Sequence, residues 1–87
     1  MNDVELWRVI LLATRDENGQ TMYLNRIVTE KGVPHVTFAY DMRDALMVRS
    51  HKLARDMRKH LLRLGWKMKE VVIDKKDLDK DFGGGWR

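Results

Sequence analysis

Cysteine is absent from the 87-residue sequence, and proline occurs once, at Pro34. Without thiols the chain has no disulfides, no thiolate metal ligands and no cysteine nucleophile, so packing must supply its stability. Long apolar runs are also missing, since none approaches the roughly 20 residues that span a bilayer. The first five residues are acidic, through Asp3 and Glu5, where a signal peptide is basic. These absences favour a cytoplasmic protein with no membrane partner.

The composition is that of a globular chain. Hydrophobic residues make up 44% of the sequence and charged residues 34%, which is too apolar for intrinsic disorder. A chain of this length forms one domain with a modest core. We predict a single α+β domain over residues 1–73. Residues 74–87 alternate in charge and end in Gly-Gly-Gly-Trp-Arg, so we predict a flexible tail there.

Three strands are predicted in the first half of the chain. Residues 4–14 are rich in branched and aromatic residues, and from residue 6 onward both faces are apolar apart from Arg8, which favours an interior strand. The pair Asn18-Gly19 is a strong hairpin signal, so residues 21–29 are predicted to return antiparallel. Residues 35–40 follow a second turn and form a short third strand. Pro34 has no N–H to donate, which favours an edge position or only brief pairing for that strand.

One amphipathic helix is predicted between Ser50, a good N-cap residue, and Gly65, a good C′ residue. Its apolar residues recur at steps of three and four. The predicted packing face consists of Leu53, Ala54, Met57, Leu61 and Leu64.

The segments on either side of the helix complete the predicted fold. Asp41 is the expected cap of a separate helical turn that points Ala45 and Leu46 inward, although one continuous helix from Asp41 would also fit the sequence. Residues 66–73 are predicted to form a fourth strand. The result is a small two-layer ββ(β)αβ domain, with an antiparallel-rich sheet covered on one face by the helix.

Positive charge is concentrated on this helix and the strand after it. The chain has a net charge of +4, yet residues 43–69 hold nine Lys or Arg against two Asp, a local net charge of +7. Such a face can neutralise phosphates, and an exposed Trp66 or Tyr40 could stack on a base. The candidate residues for binding nucleic acid or another acidic partner are Arg49, Lys52, Arg55, Lys59, Arg63, Lys67 and Lys69.

A purely structural interpretation of this charge is equally open. A helix that lies on a sheet must present polar residues to water, and Lys and Arg are good helix formers. Asp56 lies within the basic arc at a spacing that allows pairing with Lys52, Lys59 or His60. Trp66 could equally close the helix C-terminus against the sheet.

Catalytic and metal-binding patterns are not found. His51 and His60 are nine residues apart and project from opposite sides of a helix, so they cannot share a metal. Ser50, the single serine, is explained by its capping role. The alternating aspartates of the tail lack the glycine and glutamate of an EF-hand loop. We therefore expect no catalytic residues, no metal, no cofactor and no enzymatic activity.

A family resemblance covers residues 4–73. It rests on residues 22–28 (MYLNRIV) and 36–38 (VTF), on Asp41, Ala45 and Ala54, and on residues 66–73 (WKMKEVVI). This succession looks like small proteins of unknown function encoded by phages of Gram-positive bacteria. The resemblance implies an accessory or host-takeover protein in the host cytoplasm, for example one that blocks a defence system such as CRISPR. It carries over no catalytic or binding residues.

Two functional hypotheses follow. In the first, a non-enzymatic protein presents its basic helix face to an acidic partner, either nucleic acid or a host protein. In the second, the protein is an inhibitor or a homodimeric assembly module that uses its sheet face or its tail.

Overall fold

The computed structural model describes residues 8–74, and it confirms the α+β fold. Four strands form one antiparallel sheet in the order β3-β2-β1-β4. Within these residues β1 is interior, as predicted, and β3 lies at an edge. The elements are β1 (Arg8–Arg15), β2 (Thr21–Glu30), β3 (Val33–Ala39), a 3-10 turn (Met42–Asp44), α1 (His51–Arg63) and β4 (Lys69–Asp74).

The predicted hairpin of β1 and β2 is confirmed, and the second predicted turn forms a further hairpin of β2 and β3. Each uses local turn chemistry. In the first, Asp16 Oδ1 accepts hydrogen bonds from the backbone N–H groups of Asn18 and Gln20, at 2.8 and 2.9 Å, while Gly19 adopts φ 81°. In the second, Lys31 and Gly32 have φ 52° and 80°. Positive φ at both central residues is the type I′ geometry, whose twist matches that of the paired strands.

The third strand begins earlier than predicted. It starts at Val33 instead of residue 35 and therefore includes Pro34. Pro34 is tolerated because β3 is an edge strand, where a missing N–H need not interrupt pairing on both sides.

The segment after β3 fills a gap between β1 and β2, whose direct pairing is limited to Ala13–Arg15 against Thr21–Tyr23. Leu46 N donates to Leu24 O at 2.8 Å on the β2 side. On the β1 side, Val48 and Ile10 exchange two backbone hydrogen bonds of 2.6 and 3.0 Å. The 3-10 turn before it is capped by Asp41, whose side chain accepts from Arg43 N. The turn is thus separate from α1, and the alternative of one continuous helix is wrong.

The ends of α1 are fixed as the sequence predicts. Ser50 Oγ accepts from Leu53 N at 3.2 Å and caps the N-terminus. At the C-terminus Gly65 has φ 97°. Trp66 N donates to Leu61 O at 2.9 Å, and Gly65 N donates to Leu62 O at 3.0 Å. This pair of bonds is a Schellman motif, which satisfies carbonyls that the helix end would leave without partners.

Hydrophobic clusters lie on both faces of the sheet. On the helix face, Ala54 and Leu61 of α1 are fully buried, and Met57 packs against the same cluster. Trp66 also packs there, with its ring centroid 4.6 Å from that of Phe38. On the opposite face, the 3-10 segment contributes to a second cluster, which consists of Val9, Leu11, Tyr23, Met42, Ala45, Val71 and Ile73.

Three sequence predictions need correction. Leu53 was expected on the packing face but is 52% exposed, because it lies at the border of the apolar arc, where the sheet does not cover it. The fourth strand starts at Lys69 instead of Trp66, because residues 64–66 are used to end the helix. Asp74, the first residue of the predicted tail, is instead the last residue of β4. The rest of the predicted tail and the first residues of the predicted first strand lie outside the described residues.

Candidate nucleic-acid interface

The outward side of α1 carries a line of four cations, here called the cationic row: Lys52, Arg55, Lys59 and Arg63. All four side chains are exposed. At 100° per residue they lie opposite the buried Ala54 and Leu61, so the same periodicity that builds the core presents the row to solvent.

No carboxylate within residues 8–74 forms an ion pair with the cationic row. No carboxylate in that range lies within 4.0 Å of any of its members, and Asp56 forms no ion pair although it is exposed among them. The structural alternative, in which Asp56 offsets the row, therefore finds no contact to support it. The four like charges of the row, which lie three and four residues apart, therefore destabilise α1 slightly by mutual repulsion.

Arg58, on the flank of α1, is the contrasting case. Its Nε lies 2.8 Å from Glu70 Oε2, and the contact has the geometry of an ion pair more than that of a directed hydrogen bond. His51 Nδ1 lies 3.7 Å from the other carboxylate oxygen, Glu70 Oε1. Glu70 of β4 therefore joins the middle of the helix to the sheet edge through Arg58 and neutralises the charge of that residue.

A recess of about 510 Å³, here called the large recess, opens beside the end of β1 that meets the start of β4. Its apolar part comes from Ala13, Met68 and Val71, and two threonine hydroxyls are available beside them. The cations that line it are Arg15, Lys67 and Lys69. No carboxylate lines it, so its charge favours an anionic ligand.

A second recess of about 200 Å³, here called the small recess, lies between α1 and the segment that precedes β4. It is lined by Arg58, Lys59, Leu62, Lys67 and Met68. Lys59 belongs to the cationic row and Lys67 also lines the large recess. The two recesses thus meet at Lys67 and Met68. Arg15 and Lys69, in contrast, lie on the face of the sheet away from α1, as Tyr23 and Val71 do.

Six of the seven predicted site residues belong to the cationic row or line a recess. Arg49 is exposed, precedes α1 and lines neither recess. Sequence reasoning missed Arg15 and Arg58. Arg58 could have been found from its position on the helix wheel, but Arg15 joins the site through the strand order β2-β1-β4, which no local pattern reveals.

Two acidic groups outside these recesses, Asp16 and Asp41, have their own partners. Tyr40 Oη donates to Asp16 Oδ2 at 2.7 Å, which lowers the pKa of Asp16 and raises that of Tyr40. The Arg43 guanidinium donates to Asp41 and contacts Oδ2 at 2.6 Å, so the pKa of Asp41 is lowered to about 2. Tyr40 remains exposed while its hydroxyl is held, whereas Trp66 is packed on Phe38 and is not a free stacking platform.

The described residues offer no group of three or more His, Asp or Glu that could hold a metal ion. Over the same part of the chain, no helix is long and apolar enough to cross a membrane. Comparisons with known proteins add no assignment: no protein-family model, no curated protein and no solved structure matches this chain.

Proposed function

We propose that this protein binds nucleic acid through the cationic row and the adjoining Lys67 and Lys69, without catalysing a reaction. The observation that supports this most is that the four exposed cations of the row have no carboxylate partner within residues 8–74. Helix propensity explains why Lys and Arg are tolerated there. It does not explain why the one acidic residue among them, Asp56, pairs with none of them.

The spacing of the row suits a phosphate backbone. From Lys52 to Arg63 the helix rises by about 16 Å, which spans about five phosphates of one strand at roughly 3.4 Å of duplex axis per phosphate. Lysine and arginine contacts to phosphates position a protein on nucleic acid without reading its sequence. The proposed binding is therefore tolerant of sequence and depends strongly on salt.

The test compares two charge-matched variants with the parent. Arg55→Gln/Lys59→Gln removes the centre of the row, and Arg26→Gln/Lys31→Gln removes the same charge from the β2–β3 hairpin. Affinity for a mixed-sequence oligonucleotide is measured across a salt series by fluorescence anisotropy. The row variant is expected to weaken binding and to flatten the slope of log K against log salt by up to about 1.8 on duplex, at about 0.9 per phosphate contact.

The control variant shows whether binding depends on the cationic row or only on the net charge of the protein. It should leave the slope nearly as in the parent, because its cations lie away from the row. Equal losses in both variants would show that only net charge matters. No binding of DNA or RNA by the parent at about 50 mM salt, where phosphate contacts are strongest, would refute the proposal.

A protein partner is the second candidate, and one observation favours it. Leu53 and Leu62 border the cationic row on its two sides and are 52% and 59% exposed, so the surface has apolar flanks that a phosphate backbone does not need. An acidic protein with apolar contacts of its own would fit both features. An inhibitor of a bacterial defence system, as the phage resemblance implies, belongs to this class.

The flanking leucines distinguish the two candidates. Leu53→Gln/Leu62→Gln leaves every cation in place, so it should leave oligonucleotide binding unchanged. A protein partner that packs on these side chains would lose affinity, because truncating a buried contact residue commonly costs more than about 1 kcal/mol.

A further inference from the structure

We propose that the large recess binds one nucleotide unit, with the phosphate at Arg15, Lys67 and Lys69 and the base on the apolar surface of Ala13, Met68 and Val71. This inference deepens the proposed function and rests on it for the strand-bound case. The ligand chemistry is a phosphate joined to a flat, partly apolar ring system. A free nucleotide and a nucleotide within a bound strand both provide it.

The size of the recess supports a ligand larger than an inorganic ion. Its volume of about 510 Å³ lies within the range of about 300–1,000 Å³ that is typical of small-molecule sites. The small recess, at about 200 Å³, falls below that range. Phosphate alone would leave most of the large recess unfilled.

The cations around the recess come from two separate parts of the chain. Lys69 lies opposite Ala13 in the β1–β4 register, and Arg15 is two residues further along β1, or about 7 Å. Lys67 lies two residues before Lys69. None of the three has an ion-pair partner among residues 8–74, so three positive charges surround one recess within about a Debye length. An anion bound there would relieve their mutual repulsion.

The apolar part of the recess defines the rest of the ligand. Ala13 and Met68 are buried members of the fold's interior, so this surface is held in place by the core and does not need to form on binding. A base offers a flat face to such a surface, and the hydroxyls of Thr14 and Thr21, which also line the recess, offer hydrogen bonds to a sugar or base. Recognition of this kind combines shape, charge and a few polar groups.

The junction of the two recesses explains how the large recess would serve a bound strand. Lys67 lines both recesses, and Lys59 of the cationic row lines the small one. A strand whose phosphates follow the row would therefore turn at Lys67, around the β4 edge of the sheet, to reach the large recess. A nucleotide at the strand's end could then enter it.

The test titrates AMP, UMP and inorganic phosphate into 15N-labelled full-length protein and follows the backbone amides by NMR. A concentration of about 10 mM is sufficient, because it would fill about 90% of a site whose Kd is about 1 mM, which is weak binding. The expected result is saturable shifts at residues 13–15, 21 and 67–71 with either nucleotide and smaller shifts with phosphate. Arg15→Gln/Lys69→Gln should weaken nucleotide binding by about tenfold or more, because it removes two charge-assisted contacts to the phosphate.

Two controls keep the result specific. Thr21→Phe fills the recess from an exposed strand position without changing charge, and it should also abolish the nucleotide shifts. Arg26→Gln/Lys31→Gln removes two charges elsewhere and should change affinity less than twofold. Nucleotide shifts that survive Thr21→Phe, equal weakening by the two charge variants, or equal binding of phosphate and nucleotide would each overturn the proposal.

The remaining arm titrates a four-nucleotide single strand into the parent and into Arg55→Gln/Lys59→Gln. The variant lacks the centre of the cationic row, so a loss of binding in it shows that the strand binds through the row. If the strand binds the parent through the row but no ligand shifts the recess amides, the proposed function stands and the recess inference fails. If mononucleotides shift the recess amides while the strand does not bind, the recess takes a free nucleotide and the proposed function fails. If both ligands shift them, the recess receives a nucleotide of the strand.

Discussion

Arg58 Nε lies 2.8 Å from Glu70 Oε2, so an ion pair joins α1 to β4 at the edge of the sheet. The Glu70 side chain is 23% exposed and that of Arg58 40%. The pair removes one positive and one negative charge from the proposed binding surface. The cations that remain available there are the cationic row, Arg15, Lys67 and Lys69.

The insertion of the chain between β1 and β2 is testable by hydrogen exchange. The amides of Leu46 and Val48 donate to Leu24 O and Ile10 O, at 2.8 and 3.0 Å. The Met47 amide between them has no backbone acceptor within residues 8–74. We expect slow exchange at Leu46 and Val48 and fast exchange at Met47, measured by NMR under native conditions. Uniform exchange across all three residues would contradict the insertion.

Adjacent leucines on α1 give a matched test of the core. Leu61 is fully buried, whereas Leu62 is 59% exposed. Leu61→Ala is expected to lower the free energy of unfolding by about 2–5 kcal/mol, because it removes buried methyl groups and leaves a cavity. Leu62→Ala should change it by no more than about 0.5 kcal/mol. Urea denaturation of both variants provides the measurement, and equal losses would show that the helix packs through a different face.

The cap of the 3-10 turn predicts a specific pH dependence. Hydrogen bonds from the Arg43 side chain and then from its backbone N–H lower the pKa of Asp41 to about 2. An unfolded aspartate titrates near about 3.9, so the folded state favours the carboxylate. The stabilisation is therefore fully present above that value and is lost as the pH falls towards 2.

Asp41→Asn isolates this charge, because asparagine is also a good cap residue. The variant is expected to melt at a lower temperature than the parent at pH 7, and the two should converge as the pH approaches 2. Asp44→Asn, which alters an exposed neighbour, should show no such convergence. A melting difference for Asp41→Asn that is constant with pH would contradict the role of the Asp41 carboxylate.

The fold was predictable where local chemistry decides it. Ser50 and Gly65 mark the ends of α1 because a hydroxyl cap and a left-handed residue are needed at those points. The hairpin at Asn18-Gly19 follows from the same kind of local requirement. Leu53 could not be placed, because a residue at the border of an apolar arc is buried only if the sheet extends beneath it.

The candidate site was predictable only in part, for a different reason. The cationic row follows from helical periodicity, and the structure leaves it exposed as expected. The large recess depends on β1 pairing with β4, which brings Lys69 opposite Ala13 and near Arg15. Register between strands 56 residues apart in the chain comes from long-range packing, which no window of the sequence contains.

The negative charge of Glu70 is expected to lower the affinity for nucleic acid, because it offsets nearby positive charge and pairs with Arg58. Glu70→Gln keeps the size of the side chain, removes a negative charge beside the small recess and frees Arg58. A charge at about 4–8 Å contributes about 0.5–1 kcal/mol in water, so oligonucleotide binding should strengthen by about two- to fivefold at low salt. The free energy of unfolding should fall by less than about 1 kcal/mol, because the pair is partly exposed.

Glu30→Gln makes the same change of charge at the β2–β3 turn, beyond the range of about 8–10 Å over which exposed charges act. It should leave affinity nearly unchanged in the same anisotropy assay. Adding Arg58→Gln to Glu70→Gln should return affinity towards that of the parent, since the freed guanidinium is then lost. If Glu30→Gln strengthens binding as much as Glu70→Gln does, the protein responds to net charge alone. The affinity would then be independent of the surface that Glu70 borders.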